Sequence, residues 1–317
     1  MANDIAAIRE SKVKIWLAEI RAPFFTATVV PILLGATIAW ARTGSFHWGY
    51  FLLAMAGGLL LHTGTNVAND YYDHLSGTDD RNVEFVRPFT GGSRMIQEGI
   101  LTPREVLSGA LVSFALAAVV GLFLTYVRGP LIVLLGIIGI FSGFFYTAPP
   151  LNLVSRGIGE FFIGLNFGLL MTVGSYFVQT GSLAWEPAIA SIPVALLITA
   201  VLYINEFQDA PADASAGKDH WVVRLGRKRA AWGYFFLILL TYVSIFLAAL
   251  LRATSPFTLI ALATLPVAIR AVGVARAHYD EYLKLVPANA ATVFMHLLTG
   301  LLLSAGYLLD KALRPFI

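Results

Sequence analysis

Asn66-Val67-Ala68-Asn69-Asp70-Tyr71-Tyr72-Asp73 closes one long apolar run of this chain, and Asn205-Glu206-Phe207-Gln208-Asp209, continued to Asp213, closes another. Carboxylates are costly to hold beside a bilayer, so an acidic cluster at the end of such a run reads first as a functional site. If each helix continues a turn or two past its apolar run, spacing fixes the geometry. Asp70 and Asp73 stand at i,i+3, while Asn205, Asp209 and Asp213 follow in i,i+4 steps along one face. Two carboxylates one turn apart present oxygens to one hard cation. Mg²⁺ keeps several waters, takes one or two carboxylates and completes its shell with substrate phosphates. Two such helix ends facing each other make a clamp with room for a diphosphate between them.

The rest of the chain supplies the setting. Of 317 residues, 57% are hydrophobic and 13% charged, against about a quarter charged in soluble proteins. Nine apolar runs stand out, at 24–41, 49–67, 105–127, 130–148, 158–179, 187–205, 231–251, 257–274 and 288–309. Each approaches the ~20 residues a helix needs to cross the hydrocarbon core. The runs are continuous rather than alternating, which excludes a membrane β-barrel. The expectation is an all-α membrane protein: a nine-helix bundle around a central cavity, in a single domain over 1–317. No Pro/Gly/Ser-rich linker divides it. The apolar run after Lys12 and Lys14 lacks a small-residue cleavage site, so it is not read as a signal peptide. The absence of cysteine excludes disulfides and thiolate sites.

Lys and Arg set the orientation. With the N-terminus in the cytoplasm, that side carries Arg9, Lys12, Lys14, Arg21, Arg81, Arg87, Arg94, Arg104 and Arg156. It also carries Lys218, Arg224, Arg227, Lys228, Arg229, Arg270, Arg276 and Lys284. Only Arg42, Arg128, Arg252, Lys311 and Arg314 fall on the other side, and the split accounts for all 22 basic residues. Both acidic clusters then face the cytoplasm. The +3 net charge reads as topology, not nucleic-acid binding. The basic run 224–229 reads as a headgroup anchor.

The loops near 69–104 and 206–230 are longer than the ~12–15 residues usual within a compact bundle. They are dense in Asp, Arg and Gly, which points to function. Arg87, Arg94, Lys218 and Arg156 are candidate phosphate ligands, Arg by bidentate bonding. Gly91-Gly92-Ser93 can offer backbone N–H groups. Glu160 and Asn166, polar within an apolar run, are candidates to face an interior cavity or to join helices. His62 and His296 read as packing residues. A transporter for cations or lipid phosphates is the rival class, but coupling sites there lie near the bilayer midplane, and these acids lie at one face.

These motifs resemble the UbiA superfamily of intramembrane prenyltransferases, which pairs N-D-x-x-D after helix two with D-x-x-x-D after helix six. Arg87-Pro88, Gly99, Tyr146-Thr147-Ala148-Pro149-Pro150-Leu151 and Gly217-Lys218 are similar to further family elements. Many members carry a third aspartate where this chain has Gly77. That departure, with Gly91-Gly92-Ser93-Arg94, Gln97-Glu98-Gly99 and Gly157-x-Gly159-Glu160, looks most like the 1,4-dihydroxy-2-naphthoate polyprenyltransferase branch. The resemblance implies Mg²⁺ on the catalytic carboxylates Asp70, Asp73, Asp209 and Asp213, and a polyprenyl diphosphate assisted by Arg87, Arg94 and Lys218. Asn66, Asn69 and Asn205 would orient the carboxylates or diphosphate. Tyr146 or Arg156 would position an aromatic acceptor: dihydroxynaphthoate with decarboxylation, or another such as 4-hydroxybenzoate. The implied place is a bacterial or archaeal plasma membrane, with membrane lipid around the bundle and the active site facing the cytoplasm.

Overall fold

The computed structural model describes residues 11–313; Arg9 and Arg314, used above for orientation, lie outside them. Among the described residues a short helix α1 (Lys12–Glu19) precedes α2 (Thr26–Thr43), α3 (Trp48–Ser76) and α4 (Pro103–Arg128). Then come α5 (Leu131–Phe144), α6 (Gly159–Thr180) and α7 (Trp185–Ser215). The last three are α8 (Arg227–Leu250), α9 (Pro256–Ala277) and α10 (Val286–Leu313).

Eight of these, α2–α4 and α6–α10, are long and apolar enough to cross a membrane. The expected fourth helix is shorter. With 14 residues α5 measures about 21 Å at 1.5 Å per residue. Its apolar run continues through Ala148, but Pro149 and Pro150 follow, and proline biases the preceding residue away from helical geometry. The chain therefore turns at 145–150. Within α6, residues Leu165–Leu170 widen to a π-helical stretch, where Asn166 donates to Ser142 Oγ of α5 at 2.8 Å.

Two halves share the bundle. Leu34, Leu197, Tyr203, Tyr234, Met295 and Tyr307 belong to one buried cluster spanning α2, α7, α8 and α10, joined by Ala261 and Ala268 of α9. On the other side, α3 to α6 with Ile32 of α2 line a partly open apolar cavity of about 350 Å³. Outward faces are greasy: Leu116, Val119, Leu122 and Phe123 of α4, and Phe236, Leu240, Phe246 and Leu250 of α8, are exposed. Apolar surface of that extent is incompatible with a water-facing monomer. At one end of the bundle Arg42 pairs with Glu186 and with Asp310 (2.6 Å), tying α2, α7 and α10. At the opposite end lie the two acidic clusters.

Each acidic helix end has a local cause. Gly77 caps α3 in the left-handed region (φ 73°) and its N–H donates back to the carbonyls of Asp73 and His74. The missing third aspartate of the resemblance is thus a helix stop. Pro211 lies inside α7, and its absent N–H frees the carbonyl of Phe207. Arg227 Nε donates to that carbonyl at 2.7 Å, so α7 runs on to present Asp213 one turn beyond Asp209.

Candidate active site

The ends of α3 and α7 meet through Lys218. Its Nζ lies 2.8 Å from Asp73 Oδ2 and 3.6 Å from Asp213 Oδ1. The loop after α3 folds back across both helix ends. Asn82 Nδ2 donates to Asp209 Oδ1 at 2.6 Å, and Gly91 N–H to Asp209 Oδ2 at 3.4 Å. Two residues on, Ser93 N–H donates to Asp70 Oδ2 at 2.9 Å, so one tight turn touches both motifs. A Cβ at Gly92 (φ 69°) would sit 2.9 Å from Asp79 Oδ2 and 3.1 Å from Asp70 Oδ1. Only glycine meets both the backbone conformation and the close approach. Asp70, Asp73 and Asp213 are buried and Asp209 half-buried.

Two cations offset part of this carboxylate charge. Arg21, one residue before the turn into α2, pairs with Asp70; Lys218 serves the other pair. Burial opposes the Lys218 charge, but Asp213 and Asp73 outweigh it and hold the ammonium well above its ordinary range. Asp79 is pushed the other way: burial, then Asp73 and Asp70, raise its carboxyl well above the usual range. Its Oδ2 is buried without a hydrogen-bond partner. The donor set is carboxylate oxygen throughout, which is the chemistry of a hard divalent ion.

The remaining expected residues divide. Asn69 donates to Asp73 Oδ2, and Asn66 donates to the Ile20 carbonyl at 3.1 Å, fixing the approach of Arg21. Asn205 Oδ1 accepts from Asn289 Nδ2 at 2.7 Å. Arg94 donates to the Asp79 carbonyl at 3.0 Å and stacks over Phe85 at 4.1 Å. Arg87 pairs with Glu98. Arg156 is exposed and bonds the carbonyls of Leu151 and Pro150. Tyr146 is buried and lines the apolar cavity, its hydroxyl without a hydrogen-bond partner. His62, paired with Thr28 at 2.9 Å, and Asn166 also line that cavity. His296 is buried away from it. The N–H groups of Gly91 and Ser93, expected to face phosphate, are turned to carboxylates instead.

Sequence reading left Arg21 as a topology charge and passed over Glu19, Asn82 and Asn289. Glu19 is fully buried and accepts from Ser93 Oγ at 2.5 Å. Burial first, and then Asp70, push its carboxyl up from 4.5 to about 8. A carboxyl with a raised folded-state pKa holds its proton longer in the native state than unfolded, so its contribution is lost as pH rises from 4.5 through about 8. In chelator-treated protein, Glu19→Gln therefore loses less thermal stability than the unsubstituted chain between these limits. Parallel melting curves across that window would contradict this.

Fold and paired carboxylates together define a class, the helical membrane prenyltransferases. The model of the UbiA prenyltransferase family matches residues 28–298, and the chain belongs to that family; it is a prenyltransferase. It is 28% identical over 298 residues to the 2-carboxy-1,4-naphthoquinone phytyltransferase of Synechocystis, covering 93% of each chain. It is 31% identical to the 1,4-dihydroxy-2-naphthoate octaprenyltransferase of Mycobacterium tuberculosis, covering 82% of this chain and 86% of that one. Among solved structures, a UbiA homologue from Aeropyrum pernix superposes with TM-score 0.63 at 16% identity, covering 92% of this chain and 98% of that one. One from Archaeoglobus fulgidus, bound to GPP and Mg²⁺, gives 0.60 at 14% identity over 91% and 99%. At such identities these two speak for the fold.

Proposed function

We propose that the chain transfers a polyprenyl group from a polyprenyl diphosphate to 1,4-dihydroxy-2-naphthoate, with loss of the ring carboxylate as CO₂. The observation that carries this is Lys218, joining Asp73 and Asp213 on the Tyr146 side of an apolar cavity. The naphthoate substrates named for the relatives supply the acceptor.

Asp70, Asp73, Asp209 and Asp213 would hold Mg²⁺, which when bound stabilises charge on the departing diphosphate as a Lewis acid. The protein supplies the rest. Lys218 and Arg94 offer counter-charge to phosphate oxygens, and Asn69 and Asn82 fix the carboxylates that face them. The allylic C–O bond breaks and its electron pair leaves with the diphosphate. The ring carbon bearing the carboxylate attacks the allylic carbon. The electrons of its bond to the carboxylate then return to the ring as CO₂ departs, so the step balances without an added base. Tyr146, at the junction of cavity and carboxylates, orients the acceptor, while the cavity takes the apolar tail and keeps water from the allylic cation.

In this reading α5 crosses with the eight long helices to make nine. The N-terminus and the carboxylates then face the cytoplasm from a bacterial or archaeal plasma membrane, and residues 1–317 act as one domain. The test is an incubation of purified protein with an allylic diphosphate, Mg²⁺ and a panel of aromatic acceptors, read by mass spectrometry. The expected product on dihydroxynaphthoate is acceptor plus prenyl minus CO₂. Product on 4-hydroxybenzoate alone would overturn the acceptor, and no product on any would overturn the reaction.

A further inference from the structure

We propose that Glu160, Glu206 and His220 form a second metal site, separate from the aspartate clamp, for a first-row divalent transition ion such as Zn²⁺ or Mn²⁺. Three elements converge there: Glu160 from the start of α6, Glu206 from α7, and His220 from the turn that opens the short helix Trp221–Leu225. One ligand atom from each lies within 4.8 Å of the other two. Glu160 and His220 are 0% exposed and Glu206 5%.

Unmet hydrogen-bonding capacity points to an occupant. Both carboxylate oxygens of Glu206, and Oε2 of Glu160, are buried without a hydrogen-bond partner. A buried carboxylate left in that state is strongly unfavourable. The ion pairs of Lys218 are with Asp73 and Asp213 rather than with these glutamates. The hydroxyls of Tyr146 and Tyr203 are likewise buried and unpartnered. Burial first, then Glu206 and Glu160, push the Tyr146 phenol well above its usual range, which places it in the field of this pair.

The histidine selects the ion. Val223 N–H is directed at His220 Nδ1 at 3.4 Å, so Nδ1 carries the lone pair and Nε2–H donates to Asp213 Oδ2 at 3.0 Å. Nδ1 stands 3.5 Å from Glu206 Oε2. The Val223 contact is long, and a metal ion at Nδ1 would replace it. Imidazole with two carboxylates suits Zn²⁺, Mn²⁺ or Fe²⁺ rather than Mg²⁺, which prefers oxygen throughout. The supporting bonds are of the kind that orient metal ligands: Asp213 behind the imidazole, and Trp221 N–H on Glu160 Oε1 at 2.6 Å. Because Asp213 serves both places, an ion on His220 also steadies one wall of the clamp.

The test is direct metal binding, with no product assay, so its failure leaves the transferase reading intact. Chelator-stripped protein is titrated with Co²⁺ in excess Mg²⁺ and followed by the visible absorption of Co²⁺. One Co²⁺ per chain is expected to resist Mg²⁺, to be lost in Glu206→Gln and in Glu160→Gln, and to persist in Asp70→Asn. With Mn²⁺, electron spin-echo modulation from one imidazole nitrogen is expected, and its loss in His220→Asn. Displacement of all Co²⁺ by Mg²⁺ overturns the proposal, as does unchanged binding in either glutamine variant. The two Gln variants keep side-chain shape, so either alone decides if the other does not fold.

Discussion

Asp70→Ala and Asp209→Ala each lower prenyl transfer, as kcat/KM, by roughly 10³-fold, the upper range for removing one preorganised stabilising group. The two positions are chosen because they come from opposite motifs and share one strap: Ser93 N–H on Asp70 and Gly91 N–H on Asp209. If the motifs act together on one diphosphate, either loss disables the site to a similar degree. If only one motif mattered, the losses would differ by orders of magnitude. Neither substitution opens the large apolar cluster of α2 and α7–α10, but Asp70→Ala unpairs Arg21, so membrane insertion and melting of each variant are measured beside its activity. Asp70→Asn keeps the hydrogen-bond acceptor for Ser93 while removing the charge, and it falls as far as alanine if charge is what counts. Asp80 is the internal control, being half exposed and within 3.8 Å of His74; Asp80→Ala retains activity. Undiminished turnover in Asp70→Ala or Asp209→Ala would end the shared-clamp reading.

The parts legible in the sequence were those with a period or a composition. Apolar runs located the helices, the spacing of Asp70, Asp73, Asp209 and Asp213 marked two acidic helix ends, and the Lys/Arg distribution put both on one side. The shortness of α5 was hard to read from hydropathy, since no charged residue marks its end at Phe144 and the prolines that close the run lie at 149 and 150. Pro211 does not interrupt the face on which the i,i+4 spacing places Asn205, Asp209 and Asp213. What the spacing does not show is how α7 tolerates the proline: Arg227, sixteen residues on, takes the orphaned Phe207 carbonyl. The strap itself follows no pattern that a reader could extrapolate. Asn82, Gly91 and Ser93 sit in a polar loop without periodicity, and their partners lie 127, 118 and 23 residues away. Arg21 reads as an orientation charge because it is a basic residue before an apolar run, and nothing local shows that it also pairs with Asp70. Its pairing with Asp70 depends on α2 and α3 meeting end to end, which no local signal announces.

Lys218→Met makes the sharpest distinction between a structural ion pair and a site held ready for a cation. Without metal, the ammonium is the positive charge between Asp73 and Asp213, and both its partners are buried. Removing one partner of a buried pair costs about 3–5 kcal/mol because the other charge is left uncompensated. Asp73 then keeps only Asn69, and Asp213 only His220. The metal-free variant is therefore expected to melt well below the unsubstituted chain. Mg²⁺ changes the comparison. A ligand that binds only the folded state stabilises it by an amount that grows as its Kd falls, and without Lys218 competing for the same oxygens the ion binds the variant more tightly. The rise in melting temperature on adding Mg²⁺ should accordingly be larger for Lys218→Met than for the unsubstituted protein, recovering much of the loss. Activity does not recover in parallel if the ammonium also meets the diphosphate, so the KM for the allylic diphosphate rises while metal binding improves. Arg156→Met, at an exposed position bonded only to backbone carbonyls, moves neither quantity. The measurement is differential scanning fluorimetry in detergent, with chelator and then with Mg²⁺. Equal Mg²⁺ shifts in variant and unsubstituted chain would mean that Lys218 does not hold the place of a metal ion.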